Sequence, residues 1–105
     1  MTEKFGLTQN TIDEINAVFS KYSGIEQAIL YGSRATGNFK AGSDIDLTLI
    51  GNSISHQHIS TILNEFDESN MPYLFDLSIL SQIENPDLVD HIKRVGKIFY
   101  QRLGK

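Results

Sequence analysis

The sequence predicts a small α+β fold, with features of the α/β class, in which a mixed β-sheet carries helices packed largely on one face. Two kinds of pattern support this prediction. Apolar residues recur at helical intervals in three segments, while one short apolar run and two alternating segments are typical of strands. A chain of 105 residues suits a single domain, residues 1–105, with one modest core.

Composition and charge narrow the class of protein. The chain is 40% apolar and 21% charged, which is ordinary for a globular protein, and it shows no signal peptide and no apolar run of membrane-spanning length. We therefore expect a soluble, cytoplasmic protein without a membrane partner. The absence of cysteine excludes disulfides and thiolate metal sites and leaves oxygen and imidazole ligands, which suit a hard cation such as Mg²⁺. A net charge of −4 does not indicate a nucleic-acid template.

Three helices are predicted from apolar stripes and capping residues. The first has Thr11 and Glu14 at capping-box spacing and closes at Gly24. Ser55 is suited to cap the second, and Asn85, followed by proline, is suited to cap the third. The stripes consist of Ile12, Ile15, Val18, Phe19 and Tyr22, then Ile59, Ile62, Leu63 and Phe66, then Leu88, Ile92, Val95 and Phe99.

Three strands are predicted between these helices. Residues 27–31 form a short apolar run that ends at Gly32. Residues 44–50 and 73–80 alternate, so that each segment has one apolar face and one face bearing aspartate. Residues 33–36 have room for one helical turn, and residues 37–42 form a flexible loop.

The most informative motif joins a Gly-Ser turn to an acidic strand. Gly32 and Ser33 follow the first strand, where backbone N–H groups can be presented to phosphate. After ten intervening residues come Asp44 and Asp46, which share one face of a strand and lie about 7 Å apart. Two such carboxylates repel each other unless a cation lies between them. The motif therefore predicts phosphate chemistry that depends on Mg²⁺.

A third carboxylate, Asp76, stands alone in the last predicted strand. A strand–helix–strand connection commonly places successive strands side by side. Asp76 would then join Asp44 and Asp46 in a cluster able to hold two Mg²⁺ ions for in-line displacement at phosphorus.

Two residues beside the Gly-Ser turn have more than one interpretation. Arg34 either neutralises phosphate or is a solvated surface arginine. Tyr31 either packs on a nucleotide base or belongs to the core. His91 carries no functional signal by itself, and neither do His56 and His58, which fall on different faces of a helix.

The segment GSRATGNFKAGSDIDL, with the apolar strand that follows it, resembles the signature of the DNA polymerase beta-like nucleotidyltransferase superfamily. Within that superfamily the chain resembles the minimal nucleotidyltransferases (MNT), which act as antitoxin-type partners of HEPN proteins. The resemblance implies the polymerase beta-like fold. It also implies that Gly32 and Ser33 bind the nucleotide phosphates, and that the catalytic Asp44, Asp46 and Asp76 ligate Mg²⁺, with Asp76 helping to deprotonate the acceptor.

By the same resemblance, the chain would transfer AMP from ATP to a protein hydroxyl, a tyrosine of a HEPN toxin encoded nearby, within a hetero-oligomer. Two alternatives stay open. The chain could be a binding module that neutralises its partner by complex formation, with a nucleotide-sensing or vestigial site. It could also modify a small molecule such as an aminoglycoside, although no acceptor domain is visible in the sequence.

Overall fold

A computed structural model describes residues 3–103 and has a four-stranded sheet at its centre. The strands are β3 (Ile25–Tyr31), β4 (Ile45–Gly51), β5 (Phe75–Ile79) and β6 (Lys97–Gln101), arranged in the order β5-β4-β3-β6. β3 runs antiparallel to β4 and to β6, whereas β4 and β5 are parallel. The predicted mixed sheet and α+β class are confirmed. Residues 1, 2, 104 and 105 of the predicted domain lie outside the described residues.

Two long helices cover one face of the sheet. They are α1 (Gln9–Ser20) and α3 (His56–Glu68), and each buries its apolar stripe against the strands. The core between them and the sheet includes Ile12, Ile15, Phe19, Ala28, Leu30, Ile45, Leu47, Leu49, Ile62, Phe66 and Leu77. Because side chains alternate along a strand, the aspartates of β4 and β5 point away from this core.

A short hairpin precedes the first helix and was not predicted. It pairs β1 (Glu3–Lys4) with β2 (Leu7–Thr8), and its turn places Phe5 and Gly6 at positive φ. The hairpin brings Leu7 into the core, where its side chain is fully buried. Two-residue strands carry too short a pattern to be recognised by alternation.

The capping prediction for α1 was wrong. The helix begins three residues earlier, and the Thr8 side chain accepts a hydrogen bond from the backbone N–H of Thr11 at 3.2 Å. At the start of α3, Ser55 caps as predicted, and Nδ1 of His58 accepts the N–H of Ser55 at 3.0 Å to complete a capping box.

The last helix is shorter than its stripe indicated. α4 (Pro86–Val95) is capped by Asn85 as predicted, but Phe99 lies in strand β6 and not in the helix. Gly96 separates the two elements, and the chain then pairs with the open edge of β3. That pairing satisfies backbone groups along β3, a gain that depends on a distant segment and leaves no local signal.

Helix α4 lies on the other side of the sheet from α1 and α3. Its His91 contacts Tyr31, whose side chain alternates with the core residue Leu30. The helices therefore lie largely, but not all, on one face. Within residues 3–103, no helix is both long enough and apolar enough to cross a membrane.

Candidate active site

A glycine turn ends β3 and opens the site. Gly32 has φ +75° and ψ −156°, a conformation that other residues rarely adopt, and Ser33 then begins α2 (Ser33–Thr36). A Cβ atom on Gly32 would collide with Oδ2 of Asp46. Glycine is therefore required here both by the backbone and by the close approach of the carboxylate.

The parallel pairing of β4 with β5 brings the aspartates together. Asp46 lies in register with Asp76 on one side and with Tyr31 on the other. Asp44 directly precedes β4 and is exposed, Asp46 is half-buried, and Asp76 is exposed. The predicted adjacency of the two acidic strands is thus confirmed.

Electrostatic repulsion is concentrated on Asp46. Burial raises the pKa of its carboxyl, and the negative charges of Asp76 and then Asp44 raise this pKa further, while His91 lowers it. Burial likewise raises the pKa of the Tyr31 hydroxyl, and the negative charges of Asp76 and Asp46 raise it further. A hydrogen bond with Ser78 acts in the opposite direction and lowers this pKa. The site thus holds uncompensated negative charge, which a bound cation would relieve.

The carboxylates do not form a closed metal cage. Among residues 3–103, no three His, Cys, Asp or Glu side chains are grouped so as to hold a metal ion. The expectation that three carboxylates converge into a ready cluster is therefore not met. The donor set still suits Mg²⁺, since this ion is usually held by one or two carboxylates together with substrate phosphates and water.

The interpretation of Arg34 as a solvated surface residue was wrong, because the residue is buried and structural. Only 2% of it is exposed. Its Nε and Nη2 donate to the carbonyl of Ser43 at 3.1 and 2.9 Å, and its Nη1 donates to the carbonyl of Phe5 at 2.8 Å. The guanidinium thereby fixes the end of the loop that leads directly to Asp44.

Aromatic rings complete the surroundings of Arg34. The guanidinium carbon lies 5.3 Å from the ring centroid of Phe39 and 5.1 Å from that of Tyr73. Cation–π attraction of this kind helps to keep a buried guanidinium in place. Arg34 is therefore a positioning residue for the loop and has little freedom to reach a ligand.

His91 belongs to the site although its sequence context carried no functional signal. Its Nε2 accepts the backbone N–H of Gly32 at 3.3 Å, and its ring meets Tyr31 edge-on with centroids 6.2 Å apart. In the sequence, His91 lies beside the apolar stripe of α4, between Leu88 and Ile92, which is the one feature that indicated contact with the sheet. Tyr31 is buried, in agreement with its interpretation as a core residue, and its ring also borders the acidic face.

A glycine-serine turn facing acidic strands on a four-stranded mixed sheet is the architecture of a nucleotidyltransferase. Residues 13–103 match the family described as polymerase beta, nucleotidyltransferase. Because this match spans most of the chain, the chain belongs to that family. Among curated proteins, none matches the chain significantly.

Solved structures with the same fold include toxin–antitoxin complexes. A chain of a toxin-antitoxin complex with AMP-PNP has a TM-score of 0.71 at 17% identity, covering 92% of this chain and 76% of that one. A mutant MntA-HpeT toxin-antitoxin gives a TM-score of 0.68 at 14% identity, with coverage of 92% and 75%. A chain of a third complex, tri-AMPylated Shewanella oneidensis HEPN toxin with MNT antitoxin, has a TM-score of 0.67 at 14% identity, covering 90% of this chain and 72% of that one. At these identities the likeness shows the fold.

Proposed function

We propose that this chain transfers AMP from ATP to a hydroxyl group of a protein partner, a tyrosine of a HEPN toxin, and so acts as an antitoxin. One observation carries the proposal: the Gly32 turn lies directly against Asp46, which is in register with Asp76. The turn proposed to bind phosphate and the carboxylates proposed to bind Mg²⁺ are therefore neighbours on the sheet, which supports transfer of a nucleotide.

The turn would bind the triphosphate. The N–H groups of Ser33 and Arg34 precede the first hydrogen bonds of α2, in which Ala35 and Thr36 donate to the carbonyl of Gly32, and the hydroxyl of Ser33 belongs to the same turn. These groups would hold the β- and γ-phosphates, which become the leaving pyrophosphate.

The carboxylates would bind Mg²⁺ and handle the proton. One or two of the carboxylates of Asp44, Asp46 and Asp76 would hold Mg²⁺ together with the substrate phosphates, and the ion, when bound, would supply positive charge to the phosphates and to the attacking oxygen. In the reaction the acceptor oxygen forms a bond to the α-phosphorus, the bond from that phosphorus to the β-phosphate bridge breaks, and the hydroxyl proton passes to Asp76. Pyrophosphate leaves, and AMP remains on the acceptor.

The nature of the partner is supported by the structural neighbours. Their complexes contain AMP-PNP in one case and an AMPylated HEPN toxin in another. A transferred AMP adds negative charge and bulk, which would hinder RNA binding by the modified protein. Covalent modification would also persist after the two proteins separate.

A turnover experiment tests this function. The chain is incubated at trace amounts with Mg²⁺, ATP and a HEPN partner, and the partner's mass is measured. We expect a gain of one or more AMP units in the wild-type reaction and none with Asp44→Asn and Asp46→Asn combined. Asp67→Asn, an exposed aspartate on α3, serves as the matched control. Neutralisation only at equal stoichiometry, without a change of mass, would contradict the proposal and favour a binding module.

A further inference from the structure

An exposed leucine stands at the edge of the acidic site. Leu74 is 74% exposed, one of three large apolar side chains exposed among residues 3–103. Its carbonyl accepts the N–H of Ile45 at 2.9 Å, so its backbone is held at the entry to β5. Phe75 faces the core, and alternation therefore places Leu74 on the same face as Asp76.

The strand register gives Leu74 an acidic neighbour. Ile45 pairs with Phe75 and donates to the carbonyl of Leu74, so continuing this register by one position brings Asp44 opposite Leu74. Adjacent strands are about 4.8 Å apart. The apolar side chain is thus next to a proposed metal ligand and two residues from the proposed proton acceptor, Asp76.

The order of the strands gives the site a direction. The Gly32 turn ends β3, Asp46 is on β4, and Leu74 precedes β5, so the Asp46 carboxylate lies between the turn and the leucine. In an in-line displacement the attacking oxygen approaches from the side opposite the leaving group. If the turn holds the departing pyrophosphate, the acceptor arrives from the β5 side, where Leu74 stands.

We propose that Leu74 is an acceptor-binding residue, which contacts apolar side chains flanking the acceptor hydroxyl of a polypeptide. This inference rests on the proposed AMP transfer and specifies the class of acceptor. An acidic or phosphate-rich acceptor would be repelled by Asp44, Asp46 and Asp76, whereas an uncharged apolar segment would not. Such a segment also buries the exposed surface of the leucine.

Two peptide probes test the inference. Each is a short peptide with one central tyrosine, flanked on both sides by leucines in one peptide and by serines in the other. Affinity is measured by NMR titration with Mg²⁺ and an ATP analogue blocked at the α–β bridge. We expect the wild-type chain to bind the leucine-flanked peptide about tenfold more tightly, and Leu74→Ser to lose this preference. Leu74→Met, which keeps an apolar side chain, should retain it.

Leu103→Ser is the matched control. Leu103 is 86% exposed, and its neighbour Arg102 donates to the carbonyls of Tyr22 and Ile25, at the opposite end of β3 from the turn. This variant should keep the wild-type preference, and all variants should bind the ATP analogue equally.

Several outcomes would overturn the inference. They are equal or undetectable binding of both peptides by the wild-type chain, a preference that survives in Leu74→Ser, or a loss of ATP-analogue affinity in Leu74→Ser, which would assign the leucine to the nucleotide. Cleavable ATP then separates the two proposals. If the chain prefers the leucine-flanked peptide but transfers AMP to neither peptide, the proposed transfer is refuted, whereas the proposed contact of Leu74 with the peptide stands.

Discussion

The backbone N–H of Gly32 donates a hydrogen bond to Nε2 of His91 at 3.3 Å, which connects the last helix to the turn after β3. The two residues are far apart in sequence, and they meet because α4 crosses the face of the sheet that carries Asp46. This contact orients the peptide group at the start of the segment that we propose binds phosphate. The packing of α4 on the sheet therefore influences the geometry of the Gly32 turn.

Removing the acceptor atom at His91 should weaken nucleotide binding without unfolding the chain. His91→Phe keeps an aromatic ring beside Tyr31 but offers no acceptor to Gly32. Since a hydrogen bond of this kind contributes about 0.5–1.5 kcal/mol, we expect the KM for ATP to rise by roughly two- to tenfold. His91→Gln, which retains an acceptor, should recover part of the loss. An unchanged KM in His91→Phe, measured by initial rates, would show that the contact does not shape the turn.

Substitution of the turn glycine should destabilise the protein. In Gly32→Ala the new Cβ meets the carboxylate of Asp46 and the backbone is held at φ +75°. We expect a loss of about 2–4 kcal/mol in the free energy of unfolding, measured in urea. Gly42→Ala is the control, because a Cβ at Gly42 meets nothing within 4 Å. Equal stabilities of the two variants would contradict the close approach of Asp46.

Replacing Arg34 by lysine should be costly even though the charge is kept. A lysine cannot reproduce the forked bonds to Ser43 and Phe5, so buried carbonyl groups lose their donors. We expect the free energy of unfolding, measured by thermal denaturation, to fall by about 2–4 kcal/mol. Arg94→Lys, on an exposed residue paired with Asp90, should change stability by less than about 0.5 kcal/mol. If Arg34→Lys keeps full stability but loses ATP affinity, Arg34 contacts phosphate after all.

Mg²⁺ should stabilise the folded protein more when the acidic face carries more negative charge. The pKa of Asp46 is raised by burial and by Asp76, so its ionised form opposes folding at neutral pH. Without metal, Asp46→Asn should therefore melt at a higher temperature than the wild type. Addition of Mg²⁺ should raise the Tm of the wild type by more than that of the variant. A Tm of the wild type that does not respond to Mg²⁺, with or without ATP, would count against the metal site.

Acid should weaken the contact of α3 with the two residues that follow α1, Lys21 and Tyr22. The Lys21 ammonium and then the Tyr22 hydroxyl, bonded at 2.7 Å, hold the pKa of Glu65 below its usual 4.5. Because the folded pKa is the lower one, the stabilisation is complete above about pH 4.5 and is lost as pH falls through the folded value. Its size is small, roughly 0.5–1 kcal/mol, since Lys21 is largely exposed.

Two variants isolate the Glu65 contribution. Glu65→Gln should flatten the fall of unfolding free energy below pH 4.5, whereas Glu68→Gln, on an exposed residue of the same helix, should leave it unchanged. Urea titrations at several pH values measure this. Parallel pH profiles of Glu65→Gln and the wild type would assign the acid sensitivity to other groups.

Most of the helices and strands could be predicted from the sequence because the signals for them are local. Alternation identified β4 and β5, apolar periodicity identified α1 and α3, and Asn85 with its following proline marked the start of α4. The errors fell where a distant segment decided the outcome. Phe99 fits the helical stripe of α4 by spacing, but the open edge of β3 draws it into a strand.

The sequence by itself determined which groups the site contains: a glycine-serine turn and three aspartates at spacings that place them on strand faces. Only the tertiary structure decided how these groups are arranged and supported. The register of β4 with β5 sets Asp46 beside Asp76, burial turns Arg34 into a clamp for the loop, and the path of α4 brings His91 to Gly32. The physical reason is that the face on which a side chain lies follows from its spacing along the chain. Charge repulsion, burial and hydrogen bonding instead depend on segments that meet only after folding.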